Sequence, residues 1–159
     1  MTESLPPGFP DQPTLERGLQ RILANGSSSQ VRVARRVPNL EGSFPHEVVT
    51  CLVDGKELTI FCKYGSTHTV TGYGHRGGVV READVYRLVL APSTASSARF
   101  IGSYVEPRTG ATWLVVEYLE SGLRANKAHK QDGILTAARW IGTFHAEQER
   151  LHDRLERLV

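Results

Sequence analysis

The Asp-Gly pair at Asp54-Gly55 constrains the fold more than any other local feature of the chain. It stands between two runs of strand-forming residues, 48–53 and 56–63. An Asp-Gly pair in that setting predicts a β-hairpin with a two-residue turn. Such a turn pairs the two residues that flank it and so fixes every other pair along the hairpin. The sequence therefore predicts both a hairpin and its register.

The predicted register also decides the state of the two cysteines. It places Cys51 opposite Leu58 and Cys62 opposite Glu47, so the thiols share a face but lie about four residues, or roughly 13 Å, apart. A disulfide needs Cα atoms within about 7 Å of each other. We therefore expect two free thiols that pack as small apolar groups, as in a reducing compartment.

Composition excludes several functional classes. The 159 residues carry a formal net charge of +2, with 40% hydrophobic and 23% charged residues, which is ordinary for a globular domain. The basic residues are dispersed, which argues against nucleic acid as a partner. No apolar run approaches the roughly 18 residues of a membrane helix, and the N-terminus lacks the features of a secretory signal. We therefore expect a cytoplasmic protein that binds neither nucleic acid nor a membrane.

Hydrophobic periodicity predicts an α+β fold in which a five-stranded antiparallel sheet is combined with N-terminal, crossing and C-terminal helices. The predicted elements are a helix over 15–23, strands over 31–38, 48–53 and 56–63, a helix over 79–90, strands over 100–105 and 113–119, and a helix over 132–158. Asn25-Gly26 is a predicted helix stop, and a glycine-rich loop spans 65–78.

Several short motifs within this order resemble those of a known family. Phe61-Cys62-Lys63 ends the third strand, the segment 81–86 lies on the following helix, and the segment 113–119 forms the last strand and its continuation. The run 137–146 has the small residues and the histidine near its end that resemble the first large-lobe helix of aminoglycoside phosphotransferases. Over about residues 30–150, the chain resembles the N-terminal part of an aminoglycoside phosphotransferase-type small-molecule kinase, which has a protein-kinase-like fold.

The resemblance implies a small lobe that binds a nucleotide, ATP. It assigns Lys63 to the ATP phosphates and Glu82 to the carboxylate that holds Lys63 in place. It puts Ser43, in the turn between the first two strands, near the phosphates as well. The implied adenine-bordering residues are Glu117, Tyr118 and Leu119. Phe61 shares a strand face with Lys63, so we expect it or its neighbours to line the adenine side.

The same resemblance divides the chain into three parts. These are an N-terminal lead-in and helix (1–29), a kinase-like small lobe (30–122), and a linker with the first helix of a large lobe that the chain lacks (123–159). The alternative for the site is that Lys63 is an edge-strand lysine, that Glu82 is a solvated helix charge and that Ser43 lies in a plain connection.

The residues that would complete a phosphotransferase are absent from the sequence. Transfer needs a catalytic aspartate followed five residues later by a metal-binding asparagine. None of Asn25, Asn39 and Asn126 has an aspartate five residues before it. We therefore expect no catalytic residue, a weak or incomplete ATP site, Mg²⁺ only in the presence of the missing lobe, and no phosphotransfer by this chain alone.

Two other functions stay open, namely a non-catalytic interaction module derived from a kinase lobe and a truncated gene product. Ile134, Ile141 and Phe144 lie at helical spacing on the last helix, where a large lobe would cover them. Uncovered apolar patches of several hundred Å² drive association. A second protein chain that covers the C-terminal helix is therefore a candidate partner.

Two further patterns are interpreted as structural. Gly72–Gly77 spells G-x-G-x-x-G, but it follows an antiparallel hairpin and lacks the later acidic residue of a dinucleotide site, so we interpret it as a linker. His145, Glu149 and His152 share one helix face at a spacing that would suit zinc. We expect His145 to pack inward and the other two to be solvated.

Overall fold

The computed structural model describes residues 5–24, 28–39, 41–65, 77–122 and 130–150. The elements are α1 (Gln12–Ala24), β1 (Val31–Asn39), β2 (His46–Val53), β3 (Lys56–Tyr64), α2 (Gly78–Val85), β4 (Phe100–Val105), β5 (Thr112–Glu117) and α3 (Lys130–Arg150). The strands form one antiparallel sheet in the order β1-β2-β3-β5-β4. This architecture confirms the α+β prediction with its five-stranded sheet.

The hairpin of β2 and β3 has the predicted register. Val53 pairs with Lys56, and Glu47 pairs with Cys62. The two turn residues both have positive φ, at 50° and 78°, as a type I′ turn requires. The turn therefore sets which residues of β3 face each side of the sheet, including the residues of the candidate site.

The two cysteines are free and buried, as predicted. Both are 0% exposed and belong to the core between the sheet and α1. Burial raises the pKa of Cys51 to about 11 and also raises the pKa of Cys62. Both thiols are therefore protonated near neutral pH and behave as apolar core groups.

Helices cover both faces of the sheet. Leu15 and Leu19 of α1 pack on one face, and Val79 and Ala83 of α2 pack on the other. Because strand residues alternate between faces, β5 supplies both cores with four consecutive buried side chains: Trp113 and Val115 toward α1, Leu114 and Val116 toward α2. The continuous apolar run in β5 is thus explained by burial on two sides.

A charged network is buried on the α1 face. Arg36 donates through Nε and Nη2 to the two carboxylate oxygens of Glu47, at 2.8 and 2.6 Å. The hydroxyl of Tyr64 donates to the same carboxylate at 2.5 Å. Arg36 also donates to the carbonyl of Pro10 at 3.0 Å. The network therefore joins β1, β2 and β3 to the segment that precedes α1.

Two predicted segments change their secondary structure before their predicted C-terminal ends. The predicted helix 79–90 is α2 followed by a π-helical turn over Tyr86–Leu90, where the Ala91 amide bonds to the Tyr86 carbonyl five residues before it. β5 ends at Glu117, so the rest of the predicted strand 113–119 lies in a connection. The predicted helix stop at 25–26, the loop 66–76 and the helix continuation 151–158 lie outside the described residues.

Within the described ranges, no helix combines the length and apolarity needed to cross a membrane.

Candidate functional site

An ion pair joins the end of β3 to α2. The Nζ atom of Lys63 lies 2.6 Å from Oε2 of Glu82, and the two side chains are 23% and 37% exposed. Lys63 belongs to an inner strand of the sheet, between β2 and β5, and faces the side that α2 covers. The structure thus brings together the two residues that the resemblance assigned to each other, and both side chains are partly exposed.

The position of α2 follows from its apolar face. Val79 and Ala83 are 2% and 4% exposed and pack against Leu114 and Val116 of β5. Glu82 stands directly before Ala83 on the helix, and so projects beside this contact toward β3. The packing of α2 on β5 therefore aims the carboxylate at Lys63.

Aromatic side chains lie near Lys63 on the α2 face. The Nζ atom of Lys63 lies 5.6 Å from the centroid of the Phe44 ring, within the range of a cation–π contact. His46 pairs with Lys63 across β2 and β3, and its ring lies 5.3 Å from the ring of Phe61. Phe61 is half-buried on this face, while Ser43 is exposed in the turn before Phe44.

Phe44 and His46 were not among the predicted site residues. For His46 a signal was present, because the Asp-Gly register pairs residue 46 with residue 63 by counting alone. For Phe44 the signal is weaker. A phenylalanine in a turn next to Gly42 and Ser43 indicates that its apolar ring packs against another part of the protein, but not against which part. Here the ring packs in the apolar cluster of α2 and β5.

Glu117, at the end of β5, lies at the other end of the β3–β5 pairing from Lys63. Leu114 pairs with Lys63, and Glu117 is three residues further along β5, about 10 Å away at the usual strand rise. The Glu117 amide donates to the Arg99 carbonyl at 2.9 Å, and its carboxylate lies 3.6 Å from the Arg99 guanidinium. Tyr118 and Leu119 are 40% and 54% exposed.

α3 contacts the connection between the π-helical turn and β4. Trp140 donates through Nε1 to the carbonyl of Ser96 at 2.6 Å. The carboxylate of Glu147 accepts a hydrogen bond from the Ser93 hydroxyl at 2.5 Å and one from the Thr94 amide at 2.7 Å. Both hydrogen bonds hold the pKa of Glu147 below its ordinary value, so the anchor is an ionised carboxylate at neutral pH.

The apolar residues predicted on α3 are partly uncovered. Ile134 and Ile141 are 67% and 48% exposed, and the ring of Phe144 stacks on Trp140 at 5.3 Å between centroids. The inward packing expected for His145 is wrong: the residue is exposed, because the helix uses Trp140 and Glu147 to contact the rest of the protein. His152 lies outside the described residues.

Across the described ranges, no group of three or more His, Cys, Asp or Glu side chains is placed to hold a metal ion.

The G-x-G-x-x-G run is described only at its last glycine, Gly77, which precedes α2 with a φ of 85°. A Cβ atom there would lie 2.5 Å from Cβ of Arg81, so glycine is required for the entry into α2.

A cavity of about 480 Å³ lies on the opposite face, between the N-terminal segment, the end of β3 and the turn before β5. Two of its lining residues, Tyr64 and Trp113, are only 1% and 2% exposed, so these two side chains offer a ligand little surface. At its rim, the carboxylates of Asp11 and Glu106 already accept hydrogen bonds from backbone amides of their own turns. We therefore take the Lys63–Glu82 pair as the candidate site.

Comparison of the chain with protein-family models, with curated proteins and with solved structures found no match. A functional proposal for this protein therefore rests on the geometry of its own residues.

Proposed function

We propose that residues 30–122 form the ATP-binding small lobe of a phosphotransferase similar to aminoglycoside phosphotransferases. The observation that carries the proposal is the 2.6 Å ion pair between Lys63 on β3 and Glu82 on α2. Kinases hold nucleotide phosphates with a lysine on the third strand that is paired with a glutamate on the following helix. The sheet order, in which β3 lies beside β5, also supports the proposal.

The pair suits phosphate binding for a physical reason. ATP phosphates carry several negative charges, which a lysine neutralises through charge-assisted hydrogen bonds. A free lysine side chain would lose much conformational entropy on binding, whereas Glu82 already orders the ammonium group. Lys63 is 23% exposed, so a phosphate can approach it. A buried lysine that served only the fold would not leave that access.

The adenine would lie toward the end of β5. Phe61 shares the α2 face with Lys63. Leu114 pairs with Lys63, and Glu117 lies about 10 Å further along β5 at the usual strand rise. The Glu117 amide is bonded to Arg99, and the Leu119 carbonyl accepts from Gly122. Backbone contacts to adenine would therefore come mainly from Tyr118 and from the Leu119 amide.

ATP binding is tested by titrating the purified protein with ATP in a calorimeter. We expect measurable binding by the wild-type protein, and we expect Lys63→Met to weaken it roughly tenfold or more, because a charge-assisted hydrogen bond is lost. Lys56→Met is the matched control, since Lys56 is an exposed lysine at the other end of β3. Equal affinities for the Lys63 and Lys56 variants would contradict the proposal.

The exposed apolar residues of α3 favour a second candidate, an interaction module that binds another protein chain. Multi-angle light scattering separates the two functions. For an ATP-binding lobe we expect concentration-dependent association that weakens in Ile134→Gln/Ile141→Gln, because these exposed side chains would drive it. A monodisperse monomer or a defined dimer, together with no ATP binding, would favour the interaction module.

A further inference from the structure

The turn between β1 and β2 folds over the candidate site. Its Phe44 ring lies 5.6 Å from Nζ of Lys63 and also approaches the first residue of α2, since a Cβ atom on Gly78 would lie 3.7 Å from Cζ of Phe44. The ring therefore lies between the ammonium group and the start of the helix. Glu82 contacts the ammonium group as well, so two side chains already occupy its surroundings.

The conformation of this turn is set by residues on both sides of Phe44. Gly42 has a φ of 135°, a region that other residues rarely adopt. Nδ1 of His46 lies 3.0 Å from the carbonyl of Phe44. On the far side, the Pro45 carbonyl accepts from the Tyr64 amide at 2.9 Å. The turn is thus fixed to β3 at Pro45, whereas Gly42, which has no Cβ atom, is the residue of the turn whose backbone is least restricted.

We propose that Phe44 is a lid over Lys63, which a bound polyphosphate displaces. This inference rests on the proposed nucleotide site and adds its regulation. A cation–π contact with a partly exposed lysine is weaker than charge-assisted hydrogen bonds from phosphate oxygens to the same ammonium. Displacement also removes the ring from its packing against α2 and β5, a cost that a triphosphate offsets with several charged contacts, whereas a small neutral ligand has no comparable interaction with Lys63. The lid selects for polyanions and lowers their apparent affinity.

The lid is tested with Phe44→Leu, which keeps an apolar side chain against α2 but removes the aromatic face. Without nucleotide, the rate at which an N-hydroxysuccinimide ester acylates Lys63 is measured by peptide mass spectrometry, relative to the exposed Lys56 of the same molecule. We expect this ratio to rise and the Kd for ATP to fall, each roughly three- to fivefold, as the loss of a weak cation–π contact predicts. Phe100→Leu is the control, because Phe100 packs in the same apolar cluster without a described contact to Lys63.

Each outcome bears on one of the two proposals. An unchanged acylation ratio in Phe44→Leu overturns the lid, and so does a higher ratio accompanied by weaker ATP binding, which would make Phe44 a positioning residue. A higher ratio in a protein that binds no ATP supports the shielding of Lys63 by Phe44 but overturns the nucleotide site. Gly42→Ala, which strains the turn without removing the ring, should raise the ratio as well.

Discussion

Arg36→Met is expected to lower the free energy of unfolding by about 3–5 kcal/mol, the usual cost of removing one partner from a buried ion pair. Glu47 is 0% exposed, and Arg36 donates to both of its carboxylate oxygens. Without the guanidinium, the carboxylate stays buried with Tyr64 as a neutral donor, and the Pro10 carbonyl loses its bond to Arg36. Urea denaturation followed by tryptophan fluorescence measures the loss.

The neighbouring arginine provides the control. Arg35 is exposed, so Arg35→Met should change the free energy of unfolding by no more than about 0.5 kcal/mol. Adding Glu47→Gln to Arg36→Met removes the orphaned charge and should restore part of the lost stability. If Arg36→Met costs less than about 1 kcal/mol, the buried pair does not stabilise the fold as its geometry indicates.

The Arg36–Glu47 contact shows why this network could not be predicted from the sequence. The hairpin register was predictable because one two-residue turn fixes it, and it already put Glu47 on the cysteine-bearing face. The partner depends on a bulge: β1 pairs regularly up to Val33 and again from Arg35, leaving Ala34 as the extra residue. A one-residue shift moves every later side chain to the other face. Without the bulge, Arg36 would point away from Glu47.

The candidate site was predictable in part. The place of Lys63 near the end of β3 follows from the hairpin, whereas its partner Glu82 was assigned through the resemblance to a family. No local pattern fixes the rotation of α2 about its own axis, which the packing of Val79 and Ala83 on β5 decides. Phe44 was missed for a similar reason, because the place of its ring depends on where α2 begins. The elements of the site could be predicted from the sequence, whereas the contacts between elements that position Glu82 and Phe44 could not.

Exchanging the two charges of the site, with Lys63→Glu and Glu82→Lys in one protein, is expected to keep the ion pair and to lose ATP binding. The attraction between two partly exposed side chains at 2.6 Å depends little on which residue carries which charge. The phosphates, however, would meet a carboxylate at the end of β3, and the cation would project from α2. We expect the Kd for ATP, measured by calorimetry, to rise roughly tenfold or more, since a favourable charged contact becomes repulsive.

The Tm of the exchanged protein is measured as well, because it reports how much the ion pair contributes to stability, separately from ATP binding. Lys63→Glu alone places two carboxylates side by side and should lower both the Tm and the ATP affinity, whereas the exchange should recover the Tm alone. ATP affinity that returns with the Tm would contradict a phosphate-binding role for Lys63. If the Tm recovers and neither the wild-type nor the exchanged protein binds ATP, the pair is only a structural link between β3 and α2.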